Sequence, residues 1–393
     1  MLVVAHEASR TGAPLQLLSF LEWLAEHHRD DVEIHTVIQA DGELTERFER
    51  VGDVTVLDRG ALRVIPALVE KGLTHLGAPR AARALAAARL RPQLRRLTGF
   101  DAVYLNSFTT IEVLPHLPPA PAVISHVHEL NFALRAYPQP EMLRLLGSRP
   151  THWVAVCGEV ADALVDECGA DRSRISVRHP FIDTAEVAAA RTARGALRER
   201  LGIPADEPIV MGSGTIDWRK APGLFVQLAG EIGRRSDRPV HFVWVGGTLA
   251  GLDWERVRID VERSGLDNVH FVGSTPEPLP WFADAYVFAL TSHEDPFPMV
   301  CLEHAAMGHP IVTFRNGGIV ELLETAGPDA AAGIVDHLDV GAMADRVLAY
   351  LDDTDLAERA GAGLHAAALA GHDREHAAEQ LYGEIAAIVH DAP

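Results

Sequence analysis

At 393 residues the chain has room for two domains with proper cores, and its formal net charge of −20 argues against general nucleic-acid binding, which needs clustered Lys and Arg to neutralise phosphates. A hydrophobic content of 48% without any apolar run long enough to span a bilayer reads as a soluble globular protein. Cys157, Cys168 and Cys301 are scattered and odd in number, which fits a reducing cytoplasm and no disulfide framework. Met1 to Glu7 has neither a basic leader nor a long apolar segment, so no signal peptide is expected.

Leu2 to Ala5 reads as a short buried strand. It runs into the loop His6 to Pro14 and then a helix from about Leu15 to Glu26, which is how an α/β domain begins. The loop holds a single glycine, Gly12, so the dinucleotide fingerprint is missing and an ordinary dehydrogenase is disfavoured. Val32 to Ile38, Val54 to Leu57 and Val103 to Leu105 read as further strands.

Between them, Lys71 to Phe100 has no acidic residue and carries Arg80, Arg83, Arg89, Arg91, Arg95 and Arg96, with Pro92 as a break. A solvated helix face is the plainer reading. Peripheral contact with an anionic membrane surface through Arg80–Arg96 is the sharper one.

Ala122 to Ser125 is predicted as a strand ending in His126-Val127-His128-Glu129. Two histidines this close, without a third ligand, do not argue for a metal. Trp153 to Cys157 is another strand, followed by a helix from Gly158 and a strand at Ile175 to Arg178. The turn His179 to Asp183 closes this region, and Gly202 to Asp206 breaks the helical pattern of Thr184 to Arg200. The expected division is a first domain over 1–183, a linker over 184–206, a second domain over 207–375 and a final helix over 376–393.

The second domain opens with a strand at Pro208 to Met211 and the loop Gly212 to Lys220. A small-residue loop closed by adjacent cations, Arg219 and Lys220, suits a diphosphate: close backbone approach, then compensating charge. The bland reading is a surface turn. Val240 to Val245 with Gly246-Gly247, and His270 to Thr275 around Gly273 and Ser274, are further strands with turns.

Ala285 to Leu290 is a buried strand feeding the acidic loop His293 to Pro298, and Met299 to Met307 has helical spacing ended by Gly308 and Pro310. Ile311 to Phe314 is a strand, Asn316-Gly317-Gly318 a turn, and Ile319 opens a helix. Ligands of open α/β sheets bind beyond the carboxyl ends of the strands, where this loop and turn fall. Asp295 and Glu303 can both face such a crevice, and paired carboxylates suit a hydroxyl-rich ligand. Simple helix capping is the alternative for two acids here. Ile334-Val335 is a last strand, and Ala342 to Ile388 is mostly helix; Asp352 to Asp355 reads as a helix start.

The pattern Asp295-x7-Glu303, with Phe297, Val300, Leu302, Gly308 and Pro310, resembles the E-x7-E signature of retaining glycosyltransferases of family 4 (glycosyl transferases group 1). The resemblance is strongest from Pro208 to Leu323 and weaker from Gly12 to Asp183. It implies a GT-B fold: two Rossmann-like domains with parallel sheets facing an interdomain cleft, the last helix packing back on the first domain.

It also implies roles. Asp295, an Asp where the family usually has Glu, would hold donor sugar hydroxyls, with Glu294 sharing the task, and Glu303 the nucleotide ribose. Backbone N–H groups of Phe297, Met299 and Val300 would donate to the donor; Pro296 and Pro298 have none. Gly12, with Arg10 and Thr11 beside it, would let the diphosphate approach. Gly214 and Lys220 match the family's Gly-Arg-spacer-Lys-Gly, with Thr215 standing where the arginine is expected, Ala221 replacing the second glycine and Arg219 supplying the guanidinium. Gly246, Gly273 and Ser274 would surround the base. His128 would stand near donor sugar and acceptor, with Glu129 orienting it, while His126 reads as structural.

The implied reaction is metal-independent transfer of a hexose from a UDP- or GDP-linked sugar to an acceptor hydroxyl or amine in the cytoplasm, with anomeric retention and no cofactor. A nucleotide-sugar epimerase or hydrolase of the same fold, or a non-catalytic nucleotide-sugar-binding protein, are the rival readings.

Overall fold

A computed structural model describes residues 1–57, 91–136 and 140–392. The chain divides into two compact units, Met1–Arg178 with Ala378–Pro393, and His179–Ala377. Each is built on a parallel sheet whose central strands are short, apolar and buried, as βαβ units require, with more exposed strands at the edges.

In the first unit the strands are β1 (Leu2–Glu7), β2 (His35–Ala40), β3 (Asp53–Val56), β4 (Ala102–Asn106), β5 (Ala122–Val127), β6 (His152–Ala155) and β7 (Ile175–Val177), in the order β3-β2-β1-β4-β5-β6-β7. Helix Gly12–His27 buries Leu17, Leu18, Phe20, Leu21, Trp23 and Leu24, an apolar stripe at helical spacing. Several boundaries differ from expectation by a few residues, and two of them bear on the argument. Val32 to Ile34 are not in β2, which begins at His35; and His126 lies inside β5 rather than beyond it.

Residues 378–392 complete this unit. The Glu384 carboxylate accepts from Arg178 Nε at 2.5 Å and lies 3.0 Å from His152 Nε2. The Tyr382 ring sits 4.0 Å from that of His28. Of the basic stretch, Arg80, Arg83 and Arg89 lie outside the described residues. Arg91, Arg95 and Arg96 are exposed around a buried Leu94.

The second unit carries β8 (Ile209–Ser213), β9 (His241–Val245), β10 (Val269–Gly273), β11 (Val287–Leu290), β12 (Ile311–Phe314) and β13 (Ile334–Val335), in the order β10-β9-β8-β11-β12-β13. Phe225, Phe242 and Trp244 stack edge-on in its core with Phe314, Val347 and Tyr350.

The stretch 184–206, expected as a linker, folds into this unit as helices Thr184–Arg191 and Ala196–Leu201. Buried Asp284 explains why: its carboxylate accepts from the backbone N–H groups of Gly195 (2.7 Å), Leu197 (3.0 Å) and Arg198 (3.3 Å), capping the second helix. Asp353 caps helix Thr354–Gly371 through the Leu356 N–H, so the acidic run there is a helix start. No helix among the described residues is long and apolar enough to cross a membrane.

Candidate active site

Both sheets have one place where strand order reverses, and ligands of open α/β sheets bind there beyond the strand C-termini. In the second unit it lies between β8 and β11, and the loops leaving these two strands are tied together by charge. Lys220 Nζ lies 2.5 Å from Asp295 Oδ2, and Arg219 Nη1 lies 3.4 Å from Asp295 Oδ1. Ser292 Oγ also donates to Asp295 Oδ2 at 3.2 Å. Asp295 is 4% exposed, so burial pushes its carboxyl up, but the two cations and these hydrogen bonds outweigh it and hold the group below its usual range.

The loops are further fixed from both sides. His293 N–H donates to the Arg219 carbonyl at 2.8 Å, and the His293 ring stacks on Trp218 at 4.6 Å. Asp217 accepts from the Lys220 N–H (2.9 Å) and from Thr215 Oγ1 (2.6 Å). Thr215 is exposed and spends its hydroxyl on this turn; Arg219 is the residue whose guanidinium joins Lys220 on the acid. Ala221, where the family has glycine, holds a left-handed φ of 51°.

Gly317 explains how the acidic loop can lie so close to the turn after β12. Its φ is +66°, and a Cβ there would fall 1.8 Å from the Asp295 carbonyl oxygen. Gly318 N–H donates to the Pro296 carbonyl, and Asn316 Nδ2 to that of Ser292 at 3.2 Å. Helix Met299–Met307 then starts with Pro298 as N-cap, without a side-chain cap and without an acid in its first turn. Its positive end is free of competing carboxylates there. Phe297 is buried, its ring 5.1 Å from His179 and 5.3 Å from His372.

The loops after β8, β9 and β10 meet through backbone. A Cβ on Gly246 (φ +112°) would come within 2.7 Å of the Gly214 carbonyl, and Gly246 N–H donates to the Gly273 carbonyl at 2.9 Å. Ser274 Oγ donates to the Gly247 carbonyl at 3.1 Å. Gly214, Gly246, Gly273 and Ser274 thus form one cradle on the flank of the ion pair.

Glu303, half-buried on helix Met299–Met307, has no hydrogen-bond or ion-pair partner among the described residues. Burial, reinforced by Glu186 on the packed helix Thr184–Arg191, pushes its carboxyl up to about 7. The two signature acids therefore differ: Asp295 is ionised and neutralised in place, Glu303 is unpaired. Glu294 beside Asp295 is half-buried.

In the first unit the reversal lies between β1 and β4. Gly12 opens the helix after β1, and His128 follows β5. His128 Nε2 lies 2.9 Å from Asn106 Oδ1, and Asn106 Nδ2 donates to the Ala13 carbonyl at 3.1 Å. Glu129, expected from the sequence to orient the His128 ring, makes no hydrogen bond to it. Its Oε2 accepts the His128 and Phe108 backbone N–H groups at 3.0 and 3.2 Å, and its Oε1 accepts from Ser107 Oγ at 2.5 Å. Burial raises the Glu129 carboxyl, and these hydrogen bonds partly offset the rise. His126 contacts the Tyr104 hydroxyl through Nδ1, its ring 4.2 Å from that of His128.

Sequence reasoning missed Ser292, Asn316, Asn106 and Ser107. Each is a small polar residue at or just past the end of a buried strand, a position that carries no spacing signal. No cluster of three or more His, Cys, Asp or Glu that could hold a metal occurs among the described residues.

Two family models match the chain: "Glycosyltransferase Family 4" over residues 19–186 and "Glycosyl transferases group 1" over residues 207–353. Similar curated proteins include D-inositol 3-phosphate glycosyltransferases. That of Xylanimonas cellulosilytica is 34% identical over 54% of this chain and 52% of its own. That of Nocardia farcinica is 32% identical over 60% and 52%. The chain spans about half the length of these relatives. Among solved structures, Anabaena Alr3699/HepE in complex with UDP and glucose superposes with a TM-score of 0.74 at 18% identity, covering 98% of each chain. Sucrose-phosphate synthase from Thermosynechococcus elongatus gives 0.73 at 18%, again over 98% of each. These likenesses give the fold, GT-B. With one model matched in each unit and that fold throughout, the chain belongs to the family 4, group 1 glycosyltransferases.

Proposed function

We propose that the protein is a retaining glycosyltransferase that takes a hexose from a nucleotide-diphosphate sugar, UDP-linked in the first instance, and passes it to an acceptor hydroxyl or amine. One observation carries the reading: Lys220 and Arg219 converge on buried Asp295 at the strand-order reversal, beside a glycine cradle and an uncapped helix N-terminus. Two cations and free backbone N–H groups are what a departing diphosphate needs as negative charge grows on it. That the Anabaena structures hold UDP and UDP-glucose supports a uridine donor.

In this reading the anomeric C–O bond to the diphosphate breaks toward an oxocarbenium-like state. The acceptor oxygen or nitrogen forms the new bond on the same face, and its proton passes to the leaving phosphate. Asp295 with Glu294 holds the sugar and Glu303 the ribose, so the donor is positioned rather than attacked by the protein. Gly246, Gly273 and Ser274 offer backbone and hydroxyl to the base. Gly12 and His128 serve donor and acceptor from the first unit, and no step calls on a metal or cofactor. The relatives that act on D-inositol 3-phosphate make a phosphorylated polyol one acceptor to try, beside glycans, glycolipids and secondary metabolites. Work at a cytoplasmic membrane face is part of the proposal through Arg80–Arg96.

Thermal shift against UDP, GDP, dTDP and ADP and their sugars, with and without magnesium, is the test. A nucleotide that binds only the folded protein raises its melting temperature. A shift with one nucleoside diphosphate, unchanged by magnesium, is expected. No shift with any of them, and one with a dinucleotide, would sink the reading. Sugar-nucleotide turnover without acceptor, and no transfer to any, would favour the epimerase or hydrolase.

A further inference from the structure

Asn106 ends β4 at the reversal point of the first sheet and is 1% exposed. Both ends of its amide are engaged. Nδ2 donates to the Ala13 carbonyl in the first turn of the helix that Gly12 opens, so Oδ1 must face His128, and the 2.9 Å contact makes His128 Nε2 the protonated nitrogen. The other nitrogen, Nδ1, has no hydrogen-bond partner among the described residues and is the ring's open lone pair. The surroundings of the ring keep it neutral: burial first, then the His126 ring tilted against it at 4.2 Å, then His6. The acid nearest in sequence, Glu129, is spent on backbone N–H groups and on Ser107 Oγ, so it does not pair with the imidazole.

We infer that Asn106 is a positioning residue. It locks His128 as a neutral imidazole with Nδ1 presented as a hydrogen-bond acceptor, and it fixes that ring to the Gly12 turn in the same stroke. A ligand group at Nδ1 is then an O–H or N–H donor, a sugar or acceptor hydroxyl, and not a phosphate oxygen, because a lone pair cannot satisfy an anion. The inference deepens the proposed function and rests on His128 facing a ligand.

The test reads the ring itself. Long-range nitrogen–proton NMR of wild-type protein with labelled histidine should show His128 neutral at pH 7, with the proton on Nε2 and its N–H slow to exchange. Asn106→Leu should lose that protected N–H. Asn106→Asp should keep it and move the His128 titration up by about one pH unit or more, since a carboxylate at that distance favours the charged ring. A proton on Nδ1 in the wild type overturns the role of Asn106. So does an Asn106→Asp titration identical to wild type, and that comparison needs no substrate. Donor turnover is the second readout: His128→Gln with undiminished transfer would overturn the ligand-facing reading of His128 whatever the spectra of the Asn106 variants.

Discussion

Lys220 Nζ lies 2.5 Å from Asp295 Oδ2, joining the loop after β8 to the loop after β11 with both side chains largely buried. The pair stands where a donor diphosphate is proposed to bind, so the acid holds the cations in place before any ligand arrives. Breaking a buried pair by removing one partner costs about 3–5 kcal/mol, because a charge is left uncompensated. Asp295→Asn should therefore lower the melting temperature of the free protein. A nucleoside diphosphate supplies fresh counter-charge, so it should raise the melting temperature of this variant by more than it raises wild type. Lys220→Ala should lose the nucleotide-induced shift and cut transfer by on the order of 100-fold or more. An Asp295→Asn protein with wild-type stability and an ordinary UDP shift would show that the pair is incidental.

Gly317 is predicted to tolerate no side chain. The left-handed φ and the 1.8 Å approach of the Asp295 carbonyl must both be relieved in Gly317→Ala. The expected loss is at least about 1–3 kcal/mol of stability, together with the UDP-induced shift, since the acidic loop is what has to move. Gly251→Ala, with a left-handed φ but open space around its Cβ, is the control for strain alone. Denaturant midpoints that move equally for the two would remove the steric argument.

Glu303 should make stability and donor binding pull in opposite directions with pH. Its carboxyl is raised to about 7 in the folded protein, so between its ordinary range near 4.5 and about 7 the native state holds a proton that the unfolded chain has released. Stability from this group therefore falls as pH rises through that window. Glu303→Gln should be flatter there and more stable than wild type at pH 8. Donor affinity should rise over the same interval in wild type if the carboxylate holds the ribose, and should not in Glu303→Gln. Glu186→Gln should bring the midpoint down. Parallel pH profiles for wild type and Glu303→Gln would contradict this.

Glu384 has the opposite sign. Burial pushes its carboxyl up, but hydrogen bonds from His152, Ser176 and Arg178 outweigh that and bring it down to about 2. The folded state prefers the carboxylate, so its contribution is fully present above the ordinary range near 4.5 and is lost as pH falls from there toward about 2. Glu384→Gln should destabilise the first unit at neutral pH and make the protein less sensitive to acid over that window. Urea unfolding at pH 7 and pH 3 checks both statements; equal losses at the two pH values would rule out the ionised contact as the cause.

Elements with local punctuation were legible from sequence. Helix Met299–Met307 and strand Ile311–Phe314 begin and end where Pro298, Gly308 and Pro310 place them, because the prolines restrict their own backbone and Gly308 takes up the left-handed φ that ends the helix. The strand after Asp31 was not: Val32-Glu33-Ile34 alternates as a half-buried strand does, but pairing with Leu2 starts only at His35. Likewise 184–206 reads as a linker, because Asp284, the residue that caps its second helix, lies far away along the chain. The site shows the same split. Asp295, Lys220 and the glycines announce themselves by spacing and conformational need. Ser292, Asn106 and the contact of Arg219 with Asp295 depend on which loops the sheet order brings together, and periodicity does not encode that.

The return of residues 378–392 to the first unit also sets an order of synthesis. The stretch His179–Ala377 is continuous, so every residue of the second unit is made before residues 378–392. The first unit, though translated earlier, lacks the Glu384 carboxylate that engages Arg178 and His152 until residues 378–392 have been made. The half that opens the sequence thus depends for its completion on residues made after the whole of His179–Ala377.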